Sequence, residues 1–189
     1  MSNIIRTFIA VEIPEKIISS MGKVQENLKT YGFKIRWVRP ESIHLTLKFL
    51  GNIEAADTEN VGRAVCEAAG TVPPMSLQAK GIGVFPGIRR PRVVWVGITG
   101  QVETLGRLQK KLDENLAGIG IPKEKRPFKG HLTIGRIQKK IDPKAFIEAL
   151  HRLGNFETET FTADRVVLYK SELKASGAVY TELVSARLS

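Results

Sequence analysis

Two hydrophobic periods take turns along this chain: short runs in which apolar and polar residues alternate, and longer ones in which apolar residues recur every three or four positions. Residues 7–13 are rich in β-branched and aromatic side chains and stop at Pro14, which predicts a strand. Pro14 suits the first turn of a following helix, where Ile17, Ile18, Met21, Val24, Gln25 and Leu28 recur at helical spacing until Gly32. Strands are expected over 35–38 and 43–50, the second ended by Gly51, then a helix over 54–69 closed by Gly70. Residues 77–84 and 92–98 predict strands around a Phe85-Pro86-Gly87 turn.

The remainder follows a similar order. Leu105, Leu108, Leu112 and Leu116 share one face of a helix over 102–116. Residues 131–137 predict a strand. Asp142 caps a helix with Pro143 at its first position, running to about Leu153 and stopped by Gly154. Residues 160–169 and 179–188 predict closing strands.

The similarity of order has a counterpart in the letters. HLTL begins at His44 and HLTI at His131, an offset of 87 residues (131 less 44). The same shift lays residues 8–11 on 95–98, Ala55 on Asp142, and 76–86 on 163–173. Matching spacing on both sides of a repeated tetrapeptide implies a structural duplication. The expected fold is α/β (α+β) and bilobal, related by a pseudo-twofold axis. Each half is close to β-α-β-α-β-β, and two mainly antiparallel sheets face each other across a central cleft. Residues 1–189 then form one domain, with no low-complexity linker between the halves.

Composition narrows the class. A hydrophobic share of 42% suits a globular chain. No apolar run reaches the roughly 18 residues of a membrane helix, and the opening MSNIIRTFIAVEIP lacks the layout of a signal peptide. The single cysteine, Cys66, provides neither an internal disulfide nor a cysteine metal cluster. A soluble, cytoplasmic, monomeric protein is expected. Net charge is +10, and residues 80–140 carry all of the excess, with fourteen Lys/Arg against four Asp/Glu. Such a concentration attracts polyanions and points to nucleic acid.

The repeated motif adds chemistry. Side chains alternate faces along a strand, so His44 and Thr46 share one face while Leu45 and Leu47 take the other. His131 and Thr133 do the same against Leu132 and Ile134. If the halves meet across a twofold axis, two imidazoles and two hydroxyls surround one point. In-line phosphodiester hydrolysis needs one group to take a proton from water and another to give one to the leaving oxygen. Two histidines can divide that work near neutral pH, and threonine hydroxyls can donate to the phosphoryl oxygens. Spacing alone leaves open which histidine is acid and which is base. Arg136, five residues beyond His131, falls on the opposite face unless Gly135 introduces a bulge. His151 sits near a helix C-terminus, where a cation suits the dipole, and is given no catalytic role. No HExxH, paired cysteines or carboxylate at ligand spacing accompanies the histidines, so no metal and no cofactor is expected. Gly81-Ile82-Gly83 lacks the third glycine and the context of a nucleotide-binding loop.

With these residues in view, the chain resembles the two-histidine phosphoesterase superfamily, and within it the RNA 2′,3′-cyclic phosphodiesterases, also called 2′-5′ RNA ligases. The resemblance is carried by RTFIAVEIP at 6–14, HLTLKFLG at 44–51, PFKGHLTIGR at 127–136 and LYKSEL at 168–173. It implies metal-independent hydrolysis of an RNA 2′,3′-cyclic phosphate to a 2′-phosphate. By the same resemblance His44 is the general acid, His131 the general base, and Thr46 and Thr133 hold the phosphate. It also implies a reverse, ATP-independent 2′-5′ joining of tRNA half-molecules. Lys129-Gly130 stands where relatives often show Arg-Pro. Arg126, Lys129 and Arg136 are candidate RNA contacts, with Arg89, Arg90, Arg92, Lys123 and Lys125 guiding the strand. Trp37 and Phe49 are candidates for base stacking, although Phe49 shares the His44 strand and reads equally as core. The competing readings are a phosphodiesterase acting on ADP-ribose cyclic phosphate or a true ligase, and a non-catalytic RNA-binding module.

Overall fold

The structure is a computed structural model that describes residues 3–175 and 177–189. In chain order the elements are β1 (Ile4–Val11), α1 (Glu15–Lys29), β2 (Ile35–Trp37), β3 (Leu45–Glu54), α2 (Thr58–Ala69), β4 (Met75–Phe85) and β5 (Val93–Gly100). They continue as α3 (Val102–Gly118), β6 (His131–Ile137), α4 (Pro143–Arg152), β7 (Glu157–Ala163), β8 (Arg165–Lys174) and β9 (Gly177–Arg187). Pro14 stands at the cap just outside α1 rather than in its first turn. The Asp142 carboxylate accepts the Lys144 N–H at 3.1 Å, with Pro143 at the first helical position of α4.

The strands run β7-β4-β5-β6-β3-β1-β8-β9, with β2 paired to β6 as a side branch. Every pairing is antiparallel. Two four-strand arrays meet at a single pairing, Leu45↔Leu132, between β3 and β6. The array containing β5 and β6 includes β4, which precedes them in sequence. The array containing β1 and β3 is completed by β8 and β9 from the far end of the chain. Each array therefore draws strands from both halves of the sequence.

That crossing explains the main departures from the periodicity. The strand expected over 160–169 is two strands broken at Asp164. β7 pairs with β4 (Met75↔Ala163) and β8 pairs with β1 (Val11↔Val166), so the chain must turn between the two arrays there. Gly51 does not end β3. It sits inside the strand at φ +74, beside a register shift between Thr7↔Gly51 and Phe8↔Phe49. The helix expected over 54–69 opens as a 3-10 turn, Ala55–Asp57, before α2. β2 has no equivalent strand over 121–125, so the first half departs from the expected order.

One apolar core joins Ile17, Met21 and Leu28 of α1, Val61 and Val65 of α2, Leu105 and Leu112 of α3, and Phe146 of α4 to Ile9, Val11, Leu45, Leu47, Leu132 and Ile134 of the strands. Packing is crosswise: α1 lies against β6 and β7, α3 against β3 and β4, and α2 against β8, β9 and α3. The leucines of both HLT segments thus face this core, leaving the other face of the β3–β6 junction free of helices from it. No helix among the described residues is long and apolar enough to cross a membrane.

Candidate active site

Leu45↔Leu132 sets the local register. In an antiparallel pair this places His44 opposite Thr133 and Thr46 opposite His131, all four on the face away from the buried leucines. His44 precedes the first residue of β3, whereas His131 begins β6. In a regular antiparallel pair, opposite side chains stand about 4.5–5.5 Å apart at Cβ and diagonal ones about 7–8 Å. His44 and His131 form such a diagonal across the Leu45↔Leu132 pair.

Both rings are oriented alike. His44 Nδ1 lies 2.8 Å from Ser42 O, and His131 Nδ1 lies 2.7 Å from Lys129 O. A carbonyl only accepts, so Nδ1 of each ring carries the hydrogen and Nε2 is left to exchange protons. Burial is the main cause of a lowered pKa in each. For His44 it outweighs the Ser42 hydrogen bond and, with the charges of His131 and Arg136, brings the value from 6.5 to about 4. For His131 burial outweighs the Lys129 carbonyl bond, and the Lys129 charge adds to the lowering.

Aromatic rings wall both histidines. Phe8 lies 4.6 Å from the His44 ring and Tyr180 meets it edge-on at 5.3 Å, with Tyr169 stacked on Phe8 at 5.3 Å. On the other side Phe85 is 5.0 Å from His131 and Trp95 6.2 Å, with the Lys129 ammonium 4.4 Å from the Trp95 ring. Gly83 makes space for that indole, since a Cβ on it would lie 2.3 Å from the ring. Phe8 and Trp95 are 87 residues apart, the same offset as the histidines. The overlay of 8–11 on 95–98 was the available signal for these walls, but hydrophobicity alone reads them as core.

Two bulges decide what else reaches this face. In β6 the pairing jumps from Val94↔Gly135 to Trp95↔Thr133, making Ile134 the extra residue. In β3 it jumps from Ile9↔Lys48 to Ala10↔Thr46, making Leu47 the extra residue. Each bulge reverses the alternation beyond it. Arg136 and Phe49 consequently come round to the histidine face. Arg136 acts electrostatically on His44, and Phe49 is 64% exposed at 6.1 Å from Phe8. Lys48 is turned the other way, into the core, where it is ion-paired with Asp113 of α3 and donates to Pro122 O at 2.7 Å. Asp113 also accepts the Glu124 N–H at 3.2 Å, tying the His44 strand to the loop that leads to His131. Gln25 of α1 donates to Val38 O at 2.7 Å and to Ile134 O at 2.9 Å, fixing the β6 bulge from below. Gln25 lies on the buried face that the helical period gave α1, whereas Lys48 did not stand out, because the strand period predicts its face only if no bulge intervenes.

The other candidates scatter. Thr46 and Thr133 are half-buried on the histidine face. Arg126 is exposed and 3.4 Å from Glu124, upstream of the cleft. Trp37 packs against the core over Gly135 rather than lining the cleft. The basic third divides: Arg89–Arg92 lie in the β4–β5 turn, where Arg92 O accepts from Ile137 at one end of β6, and Lys123–Lys129 lie at the other end. Gly130, at the Lys-Gly departure, is packed so that a Cβ would stand 3.1 Å from Leu105 Cδ2. His151 lies in the last turn of α4. Among the described residues no three His, Cys, Asp or Glu cluster as metal ligands.

Comparison with known proteins agrees in fold and family. The description "LigT like Phosphoesterase" matches residues 11–95 and again 96–180. A protein of Methanothermobacter thermautotrophicus named RNA 2′,3′-cyclic phosphodiesterase is 32% identical over 184 residues, covering 97% of this chain and 99% of its own. One of the same name from Aquifex aeolicus is 33% identical, covering 94% of each. A solved structure from Thermus thermophilus superposes with a TM-score of 0.81 at 25% identity, over 97% of both chains. E. coli LigT complexed with 3′-AMP shares the fold, with a TM-score of 0.78 at 22% identity over 99% of both chains. Matched by the family along both parts of its length, and carrying the two HxTx segments on one face of one strand junction, the chain belongs to the LigT-like phosphoesterases.

Proposed function

We propose that this protein hydrolyses RNA 2′,3′-cyclic phosphate ends to 2′-phosphates, without a metal, using His44 and His131 as its acid–base pair. The observation that carries the reading is the matched orientation of the two rings, each pinned through Nδ1 to a carbonyl two residues upstream and free at Nε2. The names of the relatives support the substrate class.

In this mechanism His131 Nε2 takes a proton from water as the water oxygen bonds to phosphorus. The P–O3′ bond breaks on the opposite side, and His44 Nε2 gives its proton to O3′. The product carries a 2′-phosphate and a 3′-hydroxyl; the proton gained by His131 returns to solvent, and His44 takes one up from solvent to restore the acid. Thr46 and Thr133 donate to the non-bridging oxygens. Before substrate binds, His44 is held neutral by burial and by the charges of His131 and Arg136. A bound phosphate monoanion offsets those charges and favours the imidazolium that an acid requires. Phe49 flanks the cleft as a surface on which a base can stack, and Arg136 adds a fixed positive charge beside it.

The reading takes residues 1–189 as one bilobal domain built on an internal repeat of 87 residues, working as a cytoplasmic monomer. It includes the reverse reaction, ATP-independent 2′-5′ joining of RNA ends such as tRNA halves. The test is incubation with an RNA oligonucleotide ending in a 2′,3′-cyclic phosphate, in the presence of a chelator, followed by identification of the product end. A 2′-phosphate is expected. A 3′-phosphate, or a strict need for added divalent ion, contradicts the mechanism, and binding without turnover favours the RNA-binding module.

A further inference from the structure

Arg36 of β2 and Arg136 of β6 are direct cross-strand partners. Like charges placed opposite each other destabilise a sheet unless an anion or carboxylate stands between them. Their neighbours Ile35, Trp37 and Ile137 pack against the core, so both arginines leave the sheet on the other face, which beyond the Ile134 bulge is the histidine face. Among the described residues no carboxylate lies within ion-pair distance of either.

Two further cations converge there. Arg39 donates through Nη2 to Ala178 O at 2.9 Å, which seats its guanidinium on the start of β9, two residues before Tyr180. Its only ion-pair partner among the described residues is the exposed Glu41, at 3.3 Å. Arg6 belongs to β1 two residues before Phe8, on the same face, and Phe8 lies 4.9 Å from Tyr180. Burial raises the Tyr180 phenol pKa, and the charges of Arg136, Arg6 and Arg39 all act against that rise. The arginines thus form a group beside the His44 wall.

We propose that Arg36, Arg39 and Arg136 form a second anion site that holds a non-reacting phosphate of the substrate, the internucleotide diester on the 5′ side of the cyclic end. Arginine suits this task because its planar fork matches a phosphate's oxygens. Arg136 lies along β6 from Thr133, separated only by the bulged Ile134 and Gly135, so the second site adjoins the proposed phosphate-holding threonine rather than coinciding with it. The assignment rests on the proposed RNA-end chemistry and narrows it: the enzyme selects chains over free cyclic mononucleotides.

The test measures binding by calorimetry with two probes, adenosine 2′-phosphate and adenosine 2′,5′-bisphosphate, which differ only in the second phosphate. The protein is expected to bind the bisphosphate about tenfold tighter, the gain of one charge-assisted contact. In Arg36→Gln and, separately, Arg39→Gln, that ratio is expected to fall towards one. Arg36→Gln removes a like-charge pair, so it is expected to melt no lower than the parent, which separates loss of binding from loss of fold. Equal affinities for the two probes in the parent protein, or a ratio unchanged in both variants, overturns the proposal. Hydrolysis of cyclic-phosphate RNA is measured alongside. Turnover without a bisphosphate advantage overturns the second site alone, and a bisphosphate advantage without turnover supports the site while contradicting the proposed reaction.

Discussion

Leu45 and Leu132 are the one directly paired residue couple between β3 and β6, and everything on the histidine face takes its position from them. Their burial on the helix side obliges His44, Thr46, His131 and Thr133 to the other side. A polar residue in place of Leu132, which is fully buried, would act at a distance on both motifs. Leu132→Ala is expected to destabilise the fold by about 2–5 kcal/mol, measured by denaturant unfolding. It is also expected to lower turnover in the fraction that remains folded.

The bulge in β6 is held by Gln25, whose amide serves the buried carbonyl of Ile134 and the partly buried one of Val38. Gln25→Leu leaves Val38 O without that donor and Ile134 O with only the Val38 N–H, and is expected to cost about 1–3 kcal/mol. With the bulge released, Arg136 loses its fixed place beside His44, so kcat falls more than global unfolding at assay temperature accounts for. Equal stability in the variant would remove this role for Gln25.

Lys48 and Asp113 form a buried pair that joins the His44 strand to the loop before His131. Lys48→Met alone strands a buried carboxylate and is expected to cost about 3–5 kcal/mol. Adding Asp113→Leu to Lys48→Met should recover much of the stability while the loop over 121–130 loses its anchor at Glu124. A double-mutant cycle on unfolding free energy checks the coupling.

The pH dependence has a definite sign. Folding lowers the His44 pKa from 6.5 to about 4, so the unfolded chain binds more protons between those values. The contribution to stability is present above pH 6.5 and is lost as pH falls through 4, to the extent of about 3 kcal/mol at most. His44→Gln should flatten that part of the stability profile. For activity, one imidazole must hold a proton and the other must not. The kcat/KM profile for a cyclic-phosphate substrate is therefore expected to be bell-shaped and displaced to the acid side of 6.5. A flat profile from about pH 5 to 9 contradicts the acid–base pair.

Phe49 stands exposed on the cleft face. Phe49→Ala is expected to raise KM for an RNA end by roughly tenfold, the range of one lost base stack, with kcat little affected. Since the side chain buries little, its melting temperature should hardly move.

Much of this was readable from the letters, for physical reasons that also mark where reading stopped. The twin HLT segments and the 87-residue offset place both histidines, because alternation over three residues survives any later irregularity. The helices follow from long apolar periods, and Asp142-Pro143 marks the start of α4 as expected. The bulge at Leu47 was not readable and the one in β6, raised only as a condition at Gly135, falls on Ile134, since a bulge is a mismatch in count between two strands and neither strand alone contains it. That left Phe49 divided between core and base stacking, gave no sign of the buried face of Lys48, and left Arg136 conditional. The break at Asp164 was invisible for a related reason: residues on either side keep strand character but pair with opposite arrays.

The central claim is that His44 and His131 act on one phosphoryl group from its two sides. The most direct measurement is single-turnover hydrolysis of a 2′,3′-cyclic-phosphate RNA by His44→Ala, His131→Ala and the double variant, with folding checked by circular dichroism. Each single change is predicted to slow the reaction by about 10²–10⁴-fold, and the double variant to be little slower than the worse single, as for groups that act as a unit. Full activity in either folded single variant would contradict the account.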